Sequence, residues 1–109
     1  MKGVMGKILK VDLDTGECVD ETVDEKIYET FLGGIGLASW ISHRDTPAGA
    51  DPLGPDNVLG FVPGVLTGTG SLVTGRFLVT GKSPLTGGWG DSNCGGNFSP
   101  GIKQAGYDG

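Results

Sequence analysis

Arg76 and Asn93 are the residues of this chain best placed to do chemistry, because each borders glycine-rich backbone. Gly75-Arg76-Phe77 opens a run that ends Gly81-Lys82-Ser83-Pro84-Leu85-Thr86-Gly87, and Asn93-Cys94-Gly95-Gly96 follows it. Arginine presents a planar fork of donors to anionic or heteroaromatic groups, while asparagine and bare glycine carbonyls are hard oxygen ligands suited to a Mg²⁺ that bridges phosphates. The plain alternative is an arginine leading a strand and an asparagine stabilising a turn in left-handed geometry. Spacing by itself leaves both open.

Other motifs carry less. Gly81-Lys82-Ser83 resembles the end of a phosphate-binding loop, but five residues instead of four separate Gly75 from Gly81, and they read as a strand, which cannot curl its N–H groups around phosphate. Gly34-Ile35-Gly36 suggests a dinucleotide fingerprint, yet Ser39 occupies the third small position and the segment follows a helix where a strand is needed. A helix break that lets backbones pack closely is the better reading. His43, the single histidine, lies beside Arg44 and Asp45 with no second ligand at metal spacing and reads as solvated. Cys94 offers a thiol in a glycine-rich loop, a candidate nucleophile or ligand. No base can be placed near it, and a small residue filling a tight loop is the simpler account. The acidic residues between positions 12 and 29 fall on exposed faces and make no catalytic pair.

The elements that must position these residues follow from periodicity. Leu9, Val11 and Leu13 alternate with Lys10 and Asp12 across a strand from Gly6 to Leu13; Asp14-Thr15-Gly16 turns, and Glu17 to Val23 returns as a second strand. Asp24 is a good N-cap for a helix to about Leu32, with Ile27, Tyr28, Phe31 and Leu32 at helical spacing. After the Gly33-Gly34-Ile35-Gly36 break, Leu37, Trp40 and Ile41 restart a helical face that reaches about Arg44. Pro47, Pro52 and Pro55 punctuate a loop before a short buried strand over 57–62. Residues 64–75 form a Gly/Thr/Ser-rich loop, Arg76 to Lys82 a strand, and Gly88 to Ser92 an extended segment entering a loop over 93–96. Ser99 as cap, Pro100 at the first helical position and Gly106 at C′ predict a final helix over 100–105, with another strand expected just after Tyr107. The pattern reads as one α+β unit, expected to be cut before completion.

Composition bounds the function. The 109 residues fit one domain with a modest core, and 22 glycines far exceed the usual ~7%. Apolar runs between them argue for ordered loops. A net charge of −5 with no basic cluster excludes the electrostatic footprint of a nucleic-acid or anionic-membrane binder. The absence of a long apolar stretch and of a signal-peptide pattern predicts a cytoplasmic protein. Cys18 and Cys94 form neither a C-x-x-C pair nor a disulfide framework.

Several stretches together resemble the N-terminal domain of the aldehyde ferredoxin oxidoreductases. These are Pro63-Gly64-Val65-Leu66-Thr67-Gly68-Thr69, Gly75-Arg76-Phe77, Lys82-Ser83-Pro84-Leu85-Thr86-Gly87, Asn93-Cys94-Gly95-Gly96 and Ala105-Gly106-Tyr107-Asp108. Gly6 to Leu13, Thr15-Gly16, Phe31-Leu32-Gly33-Gly34 and Asp51-Pro52-Leu53 fit as well, so the resemblance covers the chain in order. It implies a β-rich α+β saddle, with hairpins and two or three short helices, that covers the pterins; residues 1–109 would be its first half. It further implies a tungsten (or molybdenum) bis-pterin enzyme with a [4Fe-4S] cluster, oxidising aldehydes to carboxylic acids with ferredoxin as electron acceptor. Partners would be ferredoxin and the remaining domains of the same enzyme, with a homo-oligomer left open.

By the same resemblance Arg76 contacts pterin toward the cluster. Asn93 supplies a main-chain carbonyl to the Mg²⁺ between the pterin phosphates, and Gly95 belongs to that phosphate-side loop. Neither cysteine fits the family's Cys-x-x-Cys-x-x-x-Cys cluster run, so cluster ligands are expected outside this chain, and no residue here is expected to be catalytic. The chain alone is then expected to be inactive. Relatives that reduce the aromatic ring of benzoyl-CoA share the pattern, and a non-catalytic binding or scaffold module is a third reading.

Overall fold

The computed structural model describes all residues, Met1–Gly109, as five strands and three helices in the order β1 (Lys7–Val11), β2 (Cys18–Thr22), α1 (Glu25–Phe31), α2 (Gly34–Asp45), β3 (Gly60–Pro63), β4 (Phe77–Lys82), β5 (Trp89–Cys94) and α3 (Phe98–Gln104). The architecture is α+β, as the periodicity predicts. β1 and β2 form an antiparallel hairpin, with Ile8 opposite Glu21 and Val11 opposite Cys18, and β3-β4-β5 form a second antiparallel sheet. The hairpin turn closes where Gly16, at φ 73°, donates its N–H to the Asp12 carbonyl at 2.8 Å. Only the base of the hairpin reaches the core: Ile8 and Val23 are buried, whereas Leu9, Val11 and Leu13 face solvent.

The core lies between the hairpin base, α1, α2 and β3, where Ile8, Val23, Tyr28, Leu37, Ala38 and Val62 pack together with Val4, Ile27, Trp40 and Ile41 against them. Asp24 caps α1 as expected, its carboxylate accepting the Lys26 N–H at 2.9 Å. Tyr28 points inward, but Phe31 and Leu32 remain exposed, because α1 ends there. The break before α2 is shorter than its glycines suggest, since Gly34 already begins that helix. These glycines serve close approach: a Cβ on Gly36 would stand 1.9 Å from the Phe31 carbonyl oxygen, and one on Gly33 would stand 2.9 Å from the Val65 nitrogen. The Gly33-Gly34 and Pro63-Gly64-Val65 stretches, distant in sequence, therefore meet backbone to backbone.

β1 stops at Val11 instead of Leu13 and β4 starts at Phe77 instead of Arg76, and three further departures bear on the site. β3 begins at Gly60, not Asn57, because the Asn57 side chain is occupied bridging loop to sheet: its amide donates to the Pro52 and Lys82 carbonyls, and its oxygen accepts the Lys82 N–H. β5 runs through Asn93 and Cys94, pairing Leu78 with Asn93 and Phe77 with Cys94, so these two residues lie in a strand and not in the predicted loop. α3 starts two residues early with Asn97 at its cap position. Ser99 is thus inside the helix instead of capping it. Its C-terminus fits the expectation: Gly106 takes φ 92°, its N–H donates to Lys103, and the Tyr107 N–H donates to Ile102, a Schellman closure.

The segment after α3 adds no assigned strand, but it binds β1. Asp108 donates its N–H to the Lys7 carbonyl at 2.8 Å, and Leu9 donates to the Gly109 carbonyl at 3.0 Å. A Cβ on Gly109 would lie 3.3 Å from the Phe61 carbonyl, so this tail sits between β1 and β3 and links the two sheets.

Candidate cofactor site around Arg76

Arg76 stands one residue before β4, after the irregular stretch 64–75. The β4–β5 register decides its neighbours. Phe77 faces Cys94 and Leu78 faces Asn93, so Arg76 and Asn93 are diagonal neighbours on one face of the sheet, and Gly95 follows opposite Arg76. The side chains meet accordingly: Arg76 Nε donates to Asn93 Oδ1. A Cβ built on Gly95 would be 3.5 Å from Arg76 Nη1, so the guanidinium rests along bare backbone. Arg76, Asn93, Gly95 and Gly96 are all exposed.

The edge position of β5 matters for its carbonyls. Ser83 donates its N–H to the Gly88 carbonyl at 2.8 Å, and this sets the alternation along the pair. Gly90, Ser92 and Cys94 then exchange main-chain bonds with β4, while Trp89, Asp91 and Asn93 turn theirs toward the open edge. The Asn93 carbonyl is in this way left free beside a positive guanidinium. Below Arg76 an open cleft of about 300 Å³ is lined by Leu66, Thr67, Val73 and Thr74. Val73, a β-branched residue with no shielding, holds φ 60°, a strained left-handed geometry.

The Arg76 main chain is held from two sides. Its carbonyl accepts the Gly64 N–H at 3.3 Å, the Ser99 hydroxyl at 3.3 Å and, more distantly, the Thr67 hydroxyl at 3.5 Å. Thr67 also donates to the Thr74 carbonyl at 2.6 Å, closing the loop that precedes Arg76. Ser99 lies on the inner face of α3 with Lys103, one turn on, and both are buried. The buried face of this helix is therefore polar, while Phe98 on its outer side stacks edge-on with Phe77 at 5.2 Å and Phe61 at 5.8 Å.

Lys103 enters the most heavily bonded polar cluster of the molecule. Its ammonium donates to Asp108 at 2.8 Å and to the Gly3 carbonyl at 2.8 Å. Asp108 further accepts the Met5 N–H at 2.9 Å, the Gly6 N–H at 2.8 Å and the Tyr28 hydroxyl at 2.6 Å. Burial alone would raise the Asp108 pKa, but the Lys103 ammonium, the Tyr28 hydroxyl and the Met5 amide outweigh it and hold the carboxyl below its ordinary value. Burial and the same carboxylate push the Tyr28 hydroxyl well above its usual range. This clasp ties the N-terminal segment, α1 and α3 together.

The sequence-level candidates thus converge in part. Arg76, Asn93 and Gly95 come together, whereas Cys94 points to the other face, in line with Phe77. Cys18 lies in the separate hairpin, His43 is exposed on α2, and no three His, Cys, Asp or Glu side chains converge as metal ligands. Thr67, Ser99, Lys103 and Tyr28 are absent from the list of sequence-level candidates. Ser99 looks like a helix cap in sequence, and the others look like ordinary loop and helix residues. No helix is long and apolar enough to cross a membrane.

Comparison with known proteins identifies the family. Residues 8–109 match the family model described as aldehyde ferredoxin oxidoreductase, N-terminal domain. A tungsten-containing aldehyde ferredoxin oxidoreductase of Thermococcus kodakarensis is 43% identical over 99% of the chain, and one of Pyrococcus furiosus is 41% identical over the same share. A Pyrococcus furiosus aliphatic sulfonate oxidoreductase, WOR-like subunit, is 32% identical over 95% of the chain. Among solved structures, the active site complex BamBC of benzoyl coenzyme A reductase, in complex with 1,5 dienoyl-CoA, superposes with a TM-score of 0.94 and 34% identity over 98% of the chain. The chain spans 18% of the length of the two tungsten relatives and 16% of that structure. With a match across nearly its whole length, the chain belongs to the aldehyde ferredoxin oxidoreductase family, to the part called its N-terminal domain.

Proposed function

We propose that this chain is the first half of the pterin-covering N-terminal domain of a tungsten, or molybdenum, bis-pterin oxidoreductase that oxidises aldehydes to carboxylic acids and passes electrons to ferredoxin in the cytoplasm. The observation that carries this reading is the meeting of Arg76, Asn93 and Gly95 on one sheet face beside a free strand edge. The donor set suits the group: a guanidinium for an anionic or heteroaromatic rim, an outward carbonyl for a Mg²⁺ between phosphates, and glycine backbone that a flat ring can approach. The 18% coverage of the tungsten relatives supports a chain that needs further polypeptide for turnover, including the [4Fe-4S] ligands.

In this account the bound tungstopterin supplies the oxygen-atom and electron chemistry, and the protein supplies placement and electrostatics. Arg76 would orient and neutralise the group; its Nε is committed to Asn93, which leaves the Nη edge to meet it. The carbonyl of Asn93 would hold the cation. Gly95 keeps the approach clear. Neither Arg76 nor Asn93 moves a proton.

A second reading keeps the cofactor and changes the substrate to benzoyl-CoA, favoured by the superposition on the benzoyl coenzyme A reductase complex. The higher identity to the aldehyde enzymes favours the first. Assay of the complete holoenzyme with short aldehydes and, separately, with benzoyl-CoA distinguishes them. Aldehyde-dependent reduction of ferredoxin supports the first reading, and turnover of benzoyl-CoA alone overturns it.

A further inference from the structure

We propose that the buried hydroxyls of Thr67 and Ser99 are positioning residues for Arg76, fixing its main chain so that the guanidinium is delivered to the Asn93–Gly95 edge in one orientation. The inference rests on the reading of Arg76 as a cofactor contact.

The need for such a device is visible in the backbone. The β3–β4 ladder ends at the Pro63–Phe77 pair, so Arg76 lies beyond its last register position. Before it runs an irregular stretch that contains Gly68 and Gly70 at positive φ and the strained Val73. Gly75 has no atom within 4 Å of where a Cβ would stand, so nothing packs there to hold the chain. One long main-chain bond from Gly64, at 3.3 Å, would be all that fixed the Arg76 carbonyl without the two hydroxyls.

Thr67 and Ser99 supply the rest from opposite sides. Thr67 is 1% exposed and Ser99 is fully buried, so each hydroxyl must find a partner inside the protein. Ser99 finds it in the Arg76 carbonyl at 3.3 Å, while Thr67 gives its one hydroxyl proton to the Thr74 carbonyl at 2.6 Å, fixing the loop two residues before Arg76, whose carbonyl lies 3.5 Å away. The two hydroxyls belong to different elements, one to the loop after β3 and one to α3. α3 in turn is anchored at Lys103 by Asp108 and the Gly3 carbonyl. A long, exposed arginine loses direction through every free torsion of its side chain, so a fixed starting point and a fixed Nε partner are what leave it one orientation.

The test uses the complete holoenzyme with Ser99→Ala, Thr67→Val and Thr67→Ser, alongside Arg76→Ala. Tungsten loss on prolonged dialysis is followed by metal analysis, and solvent exchange of the Arg76 Nε–H is followed by NMR in the 109-residue chain. Ser99→Ala and Thr67→Val are each expected to raise both rates about fivefold, the worth of one hydrogen bond. Thr67→Ser, which keeps the hydroxyl, is expected to restore both to the parent values. Should Thr67→Val fail to fold, Ser99→Ala, which removes only one atom, decides the question. Parent-like tungsten retention and Nε–H exchange in Ser99→Ala and Thr67→Val, with rapid tungsten loss in Arg76→Ala, would overturn the positioning role and leave the cofactor reading standing. Parent-like retention in Arg76→Ala would overturn the cofactor reading itself.

Discussion

Replacing Asp108 by Asn should damage this fold more than its conservative shape suggests. One oxygen of Asp108 receives Lys103 at 2.8 Å and Met5 at 2.9 Å, and the other receives Met5 at 2.9 Å, Gly6 at 2.8 Å and the Tyr28 hydroxyl at 2.6 Å. An amide must put its NH₂ in one of these places. It then faces either a buried ammonium or two main-chain N–H groups, donor against donor. At the same time the Lys103 ammonium, 4% exposed, loses its only counter-charge. Removing one partner of a buried ion pair costs about 3–5 kcal/mol, because the other charge stays buried and uncompensated. Against a typical total of about 5–15 kcal/mol, this is a large share. The thermal midpoint should fall by roughly 15 °C for a domain of this size.

The assay is urea and thermal unfolding of the protein at neutral pH, followed by circular dichroism. A double replacement, Lys103→Met with Asp108→Leu, removes both charges and should cost less than Asp108→Asn alone. If Asp108→Asn unfolds within about 1 kcal/mol of the parent, the clasp is not a stabilising element and the reasoning fails.

Further outcomes follow from the same contacts. The depressed pKa of Asp108 means that its contribution is complete above its unfolded value of about 3.9 and is lost as pH falls through the lower folded value; the stability gap between the parent and Asp108→Asn should stay constant at neutral pH and narrow below about pH 4 in acid titrations followed by circular dichroism. Thr80 buries a hydroxyl that has no partner, so Thr80→Val should raise stability by about 1 kcal/mol in urea unfolding, and a loss would show that the hydroxyl is satisfied in solution. Gly36→Ala drives a Cβ to 1.9 Å from the Phe31 carbonyl and should cost about 3 kcal/mol by the same assay; an unchanged midpoint would mean that α1 and α2 can separate freely.

Much of this molecule is legible in its sequence where local chemistry decides the outcome. Asp14-Thr15-Gly16, the Asp24 cap and the Gly106 closure each fix a boundary through one or two hydrogen bonds, and each appears where residue type predicts. The meeting of Arg76 with Asn93 was legible as a pair of glycine-bordered polar residues, but not as a contact. That depends on β5 continuing through Asn93, which strand pairing with Leu78 imposes on a sequence that looks like a loop. Ser99 misleads for a related reason: Ser before Pro has the form of a helix cap, and only the buried Arg76 carbonyl explains a serine inside the helix. The Asp108 clasp joins residues 100 or more positions apart in the chain, and no local pattern encodes it.

On the proposed reading Arg76, Asn93 and Gly95 form one edge of a tungstopterin site. Metal and pterin analysis of the complete enzyme carrying Arg76→Ala, purified in parallel with the parent, tests it most directly. The expected result is a folded protein with tungsten and pterin contents well below those of the parent; full tungsten and pterin occupancy in the Arg76→Ala enzyme would rule out the cofactor role of Arg76.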